Sequence, residues 1–168
     1  GGFSNAKTLY DKSALKDSSY HPLPIESGSA GERYSNILNK IFTKNYDFKD
    51  YDRAANIYWP GNKIGLGRED IIIFWESLKN ILSELKFKVE HVGYLDEPNK
   101  NPRASIRWSL EGIHSGDSEM YGEKTNSNLY FMGINHTELN SYGIIREWVL
   151  FDEVAIWKQI LMNRNRNG

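Results

Sequence analysis

Five ionisable side chains in the second half of the chain lie in, or at the end of, segments with the alternating pattern of β-strands: His114, His136, Glu138, Arg146 and Asp152. Such a set suits proton transfer next to a carbonyl group, because histidine titrates near neutral pH and a carboxyl in an apolar pocket has a raised pKa. A nearby arginine would hold the oxygen of an enolate or of a substrate carboxylate. The pattern therefore predicts one pocket in which Asp152 transfers the proton, assisted by His136.

The strands that must position these residues are predicted from hydrophobicity with a period of two. Residues 104–114 alternate between apolar and polar side chains, with Trp108 on the apolar face and His114 at its end. A three-residue loop at 141–143 joins strands over 128–139 and 144–151. This hairpin places Glu138 opposite Arg146 and His136 opposite Trp148. We expect Trp148 to face the pocket, whose aromatic lining is predicted to be Trp108, Trp148, Tyr58 and Trp75.

Apolar residues at helical spacing predict the covering elements. We expect a helix from residue 29 or 30, a weaker one over 48–55, a third over 68–84, and a final helix that starts at Asp152. The final helix is predicted to bury Ile156, Trp157, Ile160 and Leu161. Residues 57–59 look like a strand that Pro60 ends. Helices followed by an antiparallel run of strands indicate an α+β fold.

The domain boundaries follow from composition. Residues 1–29 are rich in Ser, Lys, Gly and Pro and are expected to form an extended N-terminal segment or linker. Residues 30–162 form the folded domain, and residues 163–168 form a short tail.

Each candidate residue also has a simpler interpretation. Asp is a favoured N-cap, so Asp152 could cap the last helix, act in the pocket, or do both. Glu138 and Arg146 could form only a cross-strand ion pair. His136 could be a buried structural histidine, His114 could be exposed, and Trp108 and Trp148 suit a wall or a core. The spacings typical of histidine metal sites are missing, so no metal is expected.

The bulk composition excludes several classes of partner. The 168 residues carry 21 Lys and Arg against 22 Asp and Glu, a formal charge of −1, which argues against a nucleic-acid or anionic-membrane binder. Cysteine is absent, which excludes disulfides and thiolate metal sites. The sequence has no apolar run of membrane-spanning length, and the cytoplasm is the default expectation for its location.

Three segments carry a resemblance to a known family: residues 65–69, residues 107–116 and residues 143–159. In the last of these, Trp148, Asp152 and the Gln159-Ile160 pair stand in the register of the family pattern. The chain thus resembles the SnoaL-like polyketide cyclases of the nuclear transport factor 2-like superfamily over about residues 30–161. Residues 132–136 are also similar to a bacterial tandem-domain branch of that family.

The resemblance implies a cone-shaped α+β fold, in which a strongly curved antiparallel sheet and three or four helices surround an apolar pocket. It also implies a cofactor-free cyclase, isomerase or lyase that uses a pocket carboxylate on a small apolar or aromatic carbonyl compound. The alternative is a non-catalytic ligand-binding or dimerisation module. Family members are usually homodimers through the sheet, and the strand over 144–151 has apolar residues on both faces, so a homodimer is expected.

Overall fold

The computed structural model describes residues 20–21, 28–43 and 45–167. These residues form three α-helices and seven β-strands. The helices are α1 (Ala30–Thr43), α2 (Arg68–Lys79) and α3 (Glu153–Asn167). The strands are β1 (Tyr20–His21), β2 (Tyr51–Trp59), β3 (Lys63–Leu66), β4 (Leu82–Leu95), β5 (Arg103–His114), β6 (Asn128–Asn140) and β7 (Gly143–Phe151).

One strongly curved, open sheet contains all the strands in the order β1-β4-β5-β6-β7-β2-β3. Every neighbouring pair is antiparallel except β2 and β7, which run parallel. Helices α1 and α2 pack on one face of this sheet, against β4, β5 and β2, while α3 packs against β6. The predicted α+β cone is therefore confirmed, with one parallel pair that the sequence pattern did not indicate.

Helix α1 shows why the first part of the domain folds as predicted. Ser29 caps it, because the Ser29 hydroxyl accepts a hydrogen bond from the Glu32 amide at 3.1 Å. Tyr34, Leu38 and Ile41 recur at helical spacing and are completely buried against the sheet. The helix therefore presents one apolar face, with a tyrosine hydroxyl in it, to the inside of the fold.

Four local predictions were wrong. The weak helix over 48–55 is replaced by β2, whose buried Tyr51, Ala55 and Ile57 suit a strand paired with β7. The helix predicted over 68–84 ends at Lys79, because Leu82 already pairs with His114 of β5. No element was predicted between the strand over 57–59 and the helix from residue 68, but this stretch contains β3, which forms a hairpin with β2.

The fourth correction concerns α3, which begins at Glu153 and continues through Asn167 into the expected tail. Ile156 and Ile160 are buried as predicted, but Trp157 and Leu161 are 39% and 55% exposed.

Helix α3 takes over from β7 as the neighbour of β6. Strand β7 ends at Phe151, opposite Gly133. Beyond that point the side-chain amide of Gln159 accepts from the Tyr130 amide at 2.7 Å and donates to the Tyr130 carbonyl at 2.8 Å. Asn163 donates to the Asn128 carbonyl at 3.2 Å. The helix thus satisfies backbone groups of β6 that a neighbouring strand would otherwise pair. This explains the role of Gln159, whose side-chain amide both donates and accepts.

The expected linker over residues 1–29 lies almost wholly outside the described residues. Of the described part, Tyr20 and His21 pair with Leu95 and Tyr94 at the edge of β4. In the described residues, no helix is both long enough and apolar enough to span a membrane.

Candidate functional site

The register of the sheet decides which candidate residues share a face. Trp108 lies opposite Gly133 and is buried under the helices, so this side is called the inner face. His136 is an odd number of residues from Gly133 along β6 and therefore projects from the other side, the outer face. His114, an even number of residues from Trp108, belongs to the inner face. The five ionisable residues expected in one pocket are thus divided between two faces of the sheet.

The predicted hairpin register is confirmed, although its face was assigned wrongly. Glu138 lies opposite Arg146 and His136 lies opposite Trp148. The Arg146 and Glu138 side chains, 51% and 21% exposed, form an ion pair at 3.6 Å on the outer face. An exposed ion pair of this kind contributes between a few tenths of a kcal/mol and about 1 kcal/mol to the free energy of unfolding.

His136 is buried on the outer face within a set of rings. Its ring meets Trp148 edge-on at 5.7 Å between centroids, and Trp148 stacks on Tyr58 at 5.4 Å. Burial and, second, the charge of Arg103 lower the pKa of His136 to about 4. His136 is therefore neutral at physiological pH.

Asp152 has a structural partner in the described fold. Its carboxylate accepts a hydrogen bond from the Ala155 amide at 3.1 Å, so it is the N-cap of α3. It also lines an outer-face groove of about 300 Å³ together with Arg107, Met132, Ile134 and Leu150. Its predicted catalytic role stays a prediction.

Substitution at position 152 separates capping from chemistry. Asp152→Asn should leave the free energy of unfolding unchanged within a few tenths of a kcal/mol, because Asn caps as well as Asp. Asp152→Ala should lower it by about 1 kcal/mol. Urea denaturation measures both. Equal losses in the two variants would contradict the capping role.

The inner face holds a buried carboxyl that was not among the predicted site residues, that of Glu147. Its Oε2 accepts from the Tyr34 hydroxyl at 2.5 Å, and its Oε1 accepts from the Tyr51 hydroxyl at 2.8 Å and from Trp75 Nε1 at 3.1 Å. The three donors come from α1, β2 and α2, and the Glu147 side chain is completely buried. One carboxyl group on β7 therefore ties α1 and α2 to the sheet.

The pKa of Glu147 reflects two opposing effects. Burial raises it and the hydrogen bonds from Tyr34, Tyr51 and Trp75 lower it, and the net result is a pKa raised from 4.5 to about 7. An acid in this state is partly ionised at neutral pH, which is the condition for exchanging protons with a bound molecule.

The hydrogen bonds around Glu147 extend further into the inner face. Asn135 Nδ2 donates to the Tyr34 hydroxyl at 2.9 Å, and Trp108 Nε1 donates to Asn135 Oδ1 at 2.9 Å. Asn135 and Trp108 are both completely buried. The candidate site is therefore a connected network of Glu147, Tyr34, Tyr51, Trp75, Asn135 and Trp108.

Aromatic rings surround this network. Trp59 meets Trp75 edge-on at 5.0 Å, and Phe151 contacts Trp59 at 5.3 Å and Trp108 at 5.6 Å. Phe42 lies 5.6 Å from the Trp75 ring. Such apolar surroundings exclude water and explain the large effect of burial on Glu147. Two of the predicted lining residues, Trp75 and Trp108, belong to this site, whereas Tyr58 and Trp148 lie on the outer face.

His114 is on the inner face at the end of β5, apart from the Glu147 network. Its Nδ1 lies 3.1 Å from the Thr125 hydroxyl, and the side chain is completely buried, which excludes the alternative interpretation that His114 is exposed. Burial first, and then the charge of Arg164, lower its pKa below 6.5. Among the described residues, no three His, Asp or Glu side chains are grouped so as to hold a metal ion.

The sequence does contain a signal for Glu147. Glu147 is an acid at every-second-residue spacing with the apolar residues Ile145, Val149 and Phe151, so all four are expected on one face of β7. The assignment failed because Trp148 and Leu150 make the other face apolar as well. Trp148 is 8% exposed on the outer side, so apolar character alone did not distinguish inside from outside.

Comparison with solved structures gives the class of this fold. TsrD from Streptomyces laurentii matches with a TM-score of 0.64 at 12% identity, over 81% of this chain and 97% of that chain. A SnoaL-like polyketide cyclase from Agrobacterium tumefaciens str. c58 matches with a TM-score of 0.60 at 16% identity, over 79% and 98%. AclR from Streptomyces galilaeus, a proposed hydroxylase, matches with a TM-score of 0.60 at 12% identity, over 80% and 83%.

The likeness to these structures confirms the predicted resemblance at the level of fold. The chain has the fold of the SnoaL-like polyketide cyclases. No family model matches the sequence, and no curated protein matches it. A fold that occurs in both cyclases and a proposed hydroxylase leaves the reaction to be argued from the site.

Proposed function

We propose that this chain is a small-molecule-binding domain that performs cofactor-free acid/base chemistry, as a cyclase, isomerase or lyase, on a small apolar or aromatic carbonyl compound. The observation that carries the proposal is Glu147, a buried carboxyl with a pKa of about 7 inside an aromatic cone. Glu147 replaces Asp152 as the proposed proton-transfer group, since Asp152 is an exposed helix cap.

The geometry around Glu147 supplies the two functions that such chemistry needs. The carboxylate is the base that removes a proton from the carbon next to a carbonyl group. Tyr51 and Trp75 both donate to its Oε1, and a substrate oxygen would take the place of Oε1 as the acceptor of these hydrogen bonds. Their O–H and N–H would then stabilise the negative charge that develops on that oxygen. The proton is held by Glu147 and returned to the product, so no cofactor is consumed.

Hydrogen–deuterium exchange tests this proposal without knowledge of the natural substrate. The probe is 2-tetralone, an apolar aromatic ketone, incubated with the protein in D₂O and followed by proton NMR. We expect the protein to accelerate exchange at the carbon next to the carbonyl, and Glu147→Gln to lower that rate by roughly a hundredfold, a typical general-base effect. Asp152→Asn is the matched control and should keep the rate.

The opposite outcome of the same assay would identify Asp152 as the base. Equal rates for the protein and Glu147→Gln, with a loss in Asp152→Asn, would return the role to the residue first predicted from the sequence. No acceleration by the unchanged protein would contradict the catalytic proposal.

A second candidate function, a dimerisation module, is favoured by the outer face. Tyr130, Met132 and Ile134 of β6 are 42%, 49% and 37% exposed, next to Leu150 in the groove. Contiguous exposed apolar side chains on one sheet face indicate a surface that another protein covers. A second copy of this chain is the proposed partner, because a two-fold interface pairs one surface with itself.

Light scattering tests the homodimer directly. We expect a dimer at micromolar concentration and a monomer for Ile134→Lys, because a buried lysine without a partner costs several kcal/mol at an interface. Ile73→Lys on α2, an isoleucine that is 63% exposed, is the control and should remain dimeric. A monomeric unchanged protein would contradict the interface.

A further inference from the structure

The hydrogen bonds that run from Trp108 through Asn135 and Tyr34 to Glu147 are all donated toward Glu147. Trp108, at the far end, sets this direction. An indole N–H can only donate. Trp108 Nε1, at 2.9 Å, therefore requires the oxygen of the Asn135 amide to face it. The nitrogen of that amide must then face Tyr34 and donate to its hydroxyl, also at 2.9 Å. With a lone pair of its oxygen already accepting, the Tyr34 hydroxyl directs its proton to Glu147.

We infer that Trp108 and Asn135 are positioning residues, which hold the Tyr34 hydroxyl as a donor to Glu147 and thereby keep that carboxyl in the form that accepts a proton. The inference rests on the proposed function of Glu147 as the proton-transfer group. Trp108 acts through Asn135, and Asn135 acts through Tyr34. Both affect Glu147 by fixing which group donates and which accepts in each hydrogen bond of the network.

Among the described residues, the hydrogen bond to Oε2 of Glu147 comes from Tyr34 alone. Tyr34 projects from α1, Tyr51 from β2 and Trp75 from α2. Tyr51 and Trp75 both donate to Oε1, so Tyr34 is the donor to Oε2. No basic side chain of the described residues contributes to the pKa of this carboxyl. Loss of the Tyr34 donor would therefore leave Oε2 of the ionised form poorly stabilised.

Removing the indole N–H of Trp108 should allow the hydrogen bonds between Asn135 and Tyr34 to reverse. Without it the Asn135 amide can rotate by half a turn and present its oxygen to Tyr34. The Tyr34 hydroxyl then donates to Asn135, and Glu147 loses one of its three donors. Because hydrogen bonds to the ionised form lower the pKa of a carboxyl, this loss raises the pKa of Glu147.

The experiment is a carbon-13 NMR titration of the Glu147 carboxyl in Trp108→Phe and in Asn135→Leu. We expect Trp108→Phe to raise the titration midpoint by roughly one pH unit or more, the size expected when one hydrogen bond to a charged group is lost. Asn135→Leu removes the oxygen to which Tyr34 could turn, so Tyr34 keeps donating to Glu147 and the midpoint should move much less. Trp59→Phe is the matched control, because Trp59 lies in the same ring cluster and its Nε1 bonds to none of the described residues. Its midpoint should stay unchanged.

A double variant shows whether the effect passes through Tyr34. In a Tyr34→Phe background, Trp108→Phe should move the midpoint no further, since the hydroxyl that it orients is gone. An additional shift of the same size, or a loss of stability in Trp108→Phe with an unmoved midpoint, would overturn the inference. Should Trp108→Phe fail to fold, Trp108→Leu, which also lacks the indole N–H, carries the same comparison.

The catalytic proposal can fail independently of this one. A shifted midpoint without any acceleration of 2-tetralone exchange supports the positioning role and contradicts the catalytic one. Exchange that depends on Glu147, with a midpoint that does not change in Trp108→Phe, overturns the positioning role and leaves the catalytic proposal standing.

Discussion

Glu147→Gln should change the pH dependence of stability far more than the removal of an exposed carboxylate would. The pKa of Glu147 in the folded protein is about 7, against 4.5 for an unperturbed glutamate. A raised pKa means that folding favours the protonated acid. The stabilisation associated with protonation is therefore complete below about pH 4.5 and is lost as the pH rises through about 7. Over that window the loss amounts to about 3 kcal/mol.

The measurement is urea denaturation of both proteins at intervals from about pH 4 to about pH 8. The free energy of unfolding of Glu147→Gln, minus that of the unchanged protein, should rise by about 3 kcal/mol across this range. The difference is the informative quantity, because it removes the contribution of His136. That histidine has its pKa lowered to about 4, so its own effect runs the other way: stability is present above about 6.5 and is lost as the pH falls.

A control and a contrary result are both available. Glu138→Gln removes a partly exposed acid on the outer face, and it should give a difference that changes by less than about 1 kcal/mol. A flat difference for Glu147→Gln would mean that Glu147 titrates like an ordinary glutamate. The central observation behind the proposed function would then be lost.

The helices and strands that the sequence revealed best are those with one dominant pattern. Helix α1 has a Ser29 cap and a single apolar stripe, and β5 alternates without interruption through Trp108. The β6–β7 hairpin register could also be predicted, since its loop length sets the pairing of Glu138 with Arg146. The prediction failed for elements whose secondary structure depends on a partner far away in the sequence. Tyr51–Trp59 becomes a strand through parallel pairing with β7, a contact across about ninety residues that local patterns cannot show.

The candidate site could be predicted only in part, because β7 is apolar on both faces. Trp75 and Trp108 were expected to line a pocket, and they do belong to the Glu147 network. Glu147 itself was missed because Trp148 was assigned to the pocket side of β7, which placed the adjacent Glu147 on the opposite side. The information that resolves the ambiguity is a size match between strands: Trp108 lies opposite Gly133, and only the odd-numbered face of β6 can then point inward. That face carries Asn135, and in the hairpin register it carries Glu147 as well.

Gly133→Ala should therefore be among the most destabilising single-methyl changes in the protein. A Cβ at this position would lie 2.1 Å from the Trp108 ring, well inside contact distance. Trp108 is completely buried and has little room to move. Overpacking costs about 1 to 3 kcal/mol, and a Cβ this close to a ring with little room to move belongs at the upper end of that range. A displaced ring would also break the bond from Trp108 Nε1 to Asn135, so the change should raise the titration midpoint of Glu147 as well.

A second substitution distinguishes the steric clash from a general intolerance of β6 to alanine. Trp108→Leu in the Gly133→Ala background should recover stability relative to the sum of the two single changes, by about 1 kcal/mol or more, since the smaller side chain makes room for the methyl group. Gly61→Ala is the control for alanine at a glycine site: its φ is +89°, but its new Cβ would come no closer than 3.8 Å to a neighbour. It should cost only about 1 to 2 kcal/mol, from the left-handed backbone alone. Strict additivity of the Gly133 and Trp108 substitutions would show that the two residues do not pack against each other, and the inner assignment of Glu147 would lose its support.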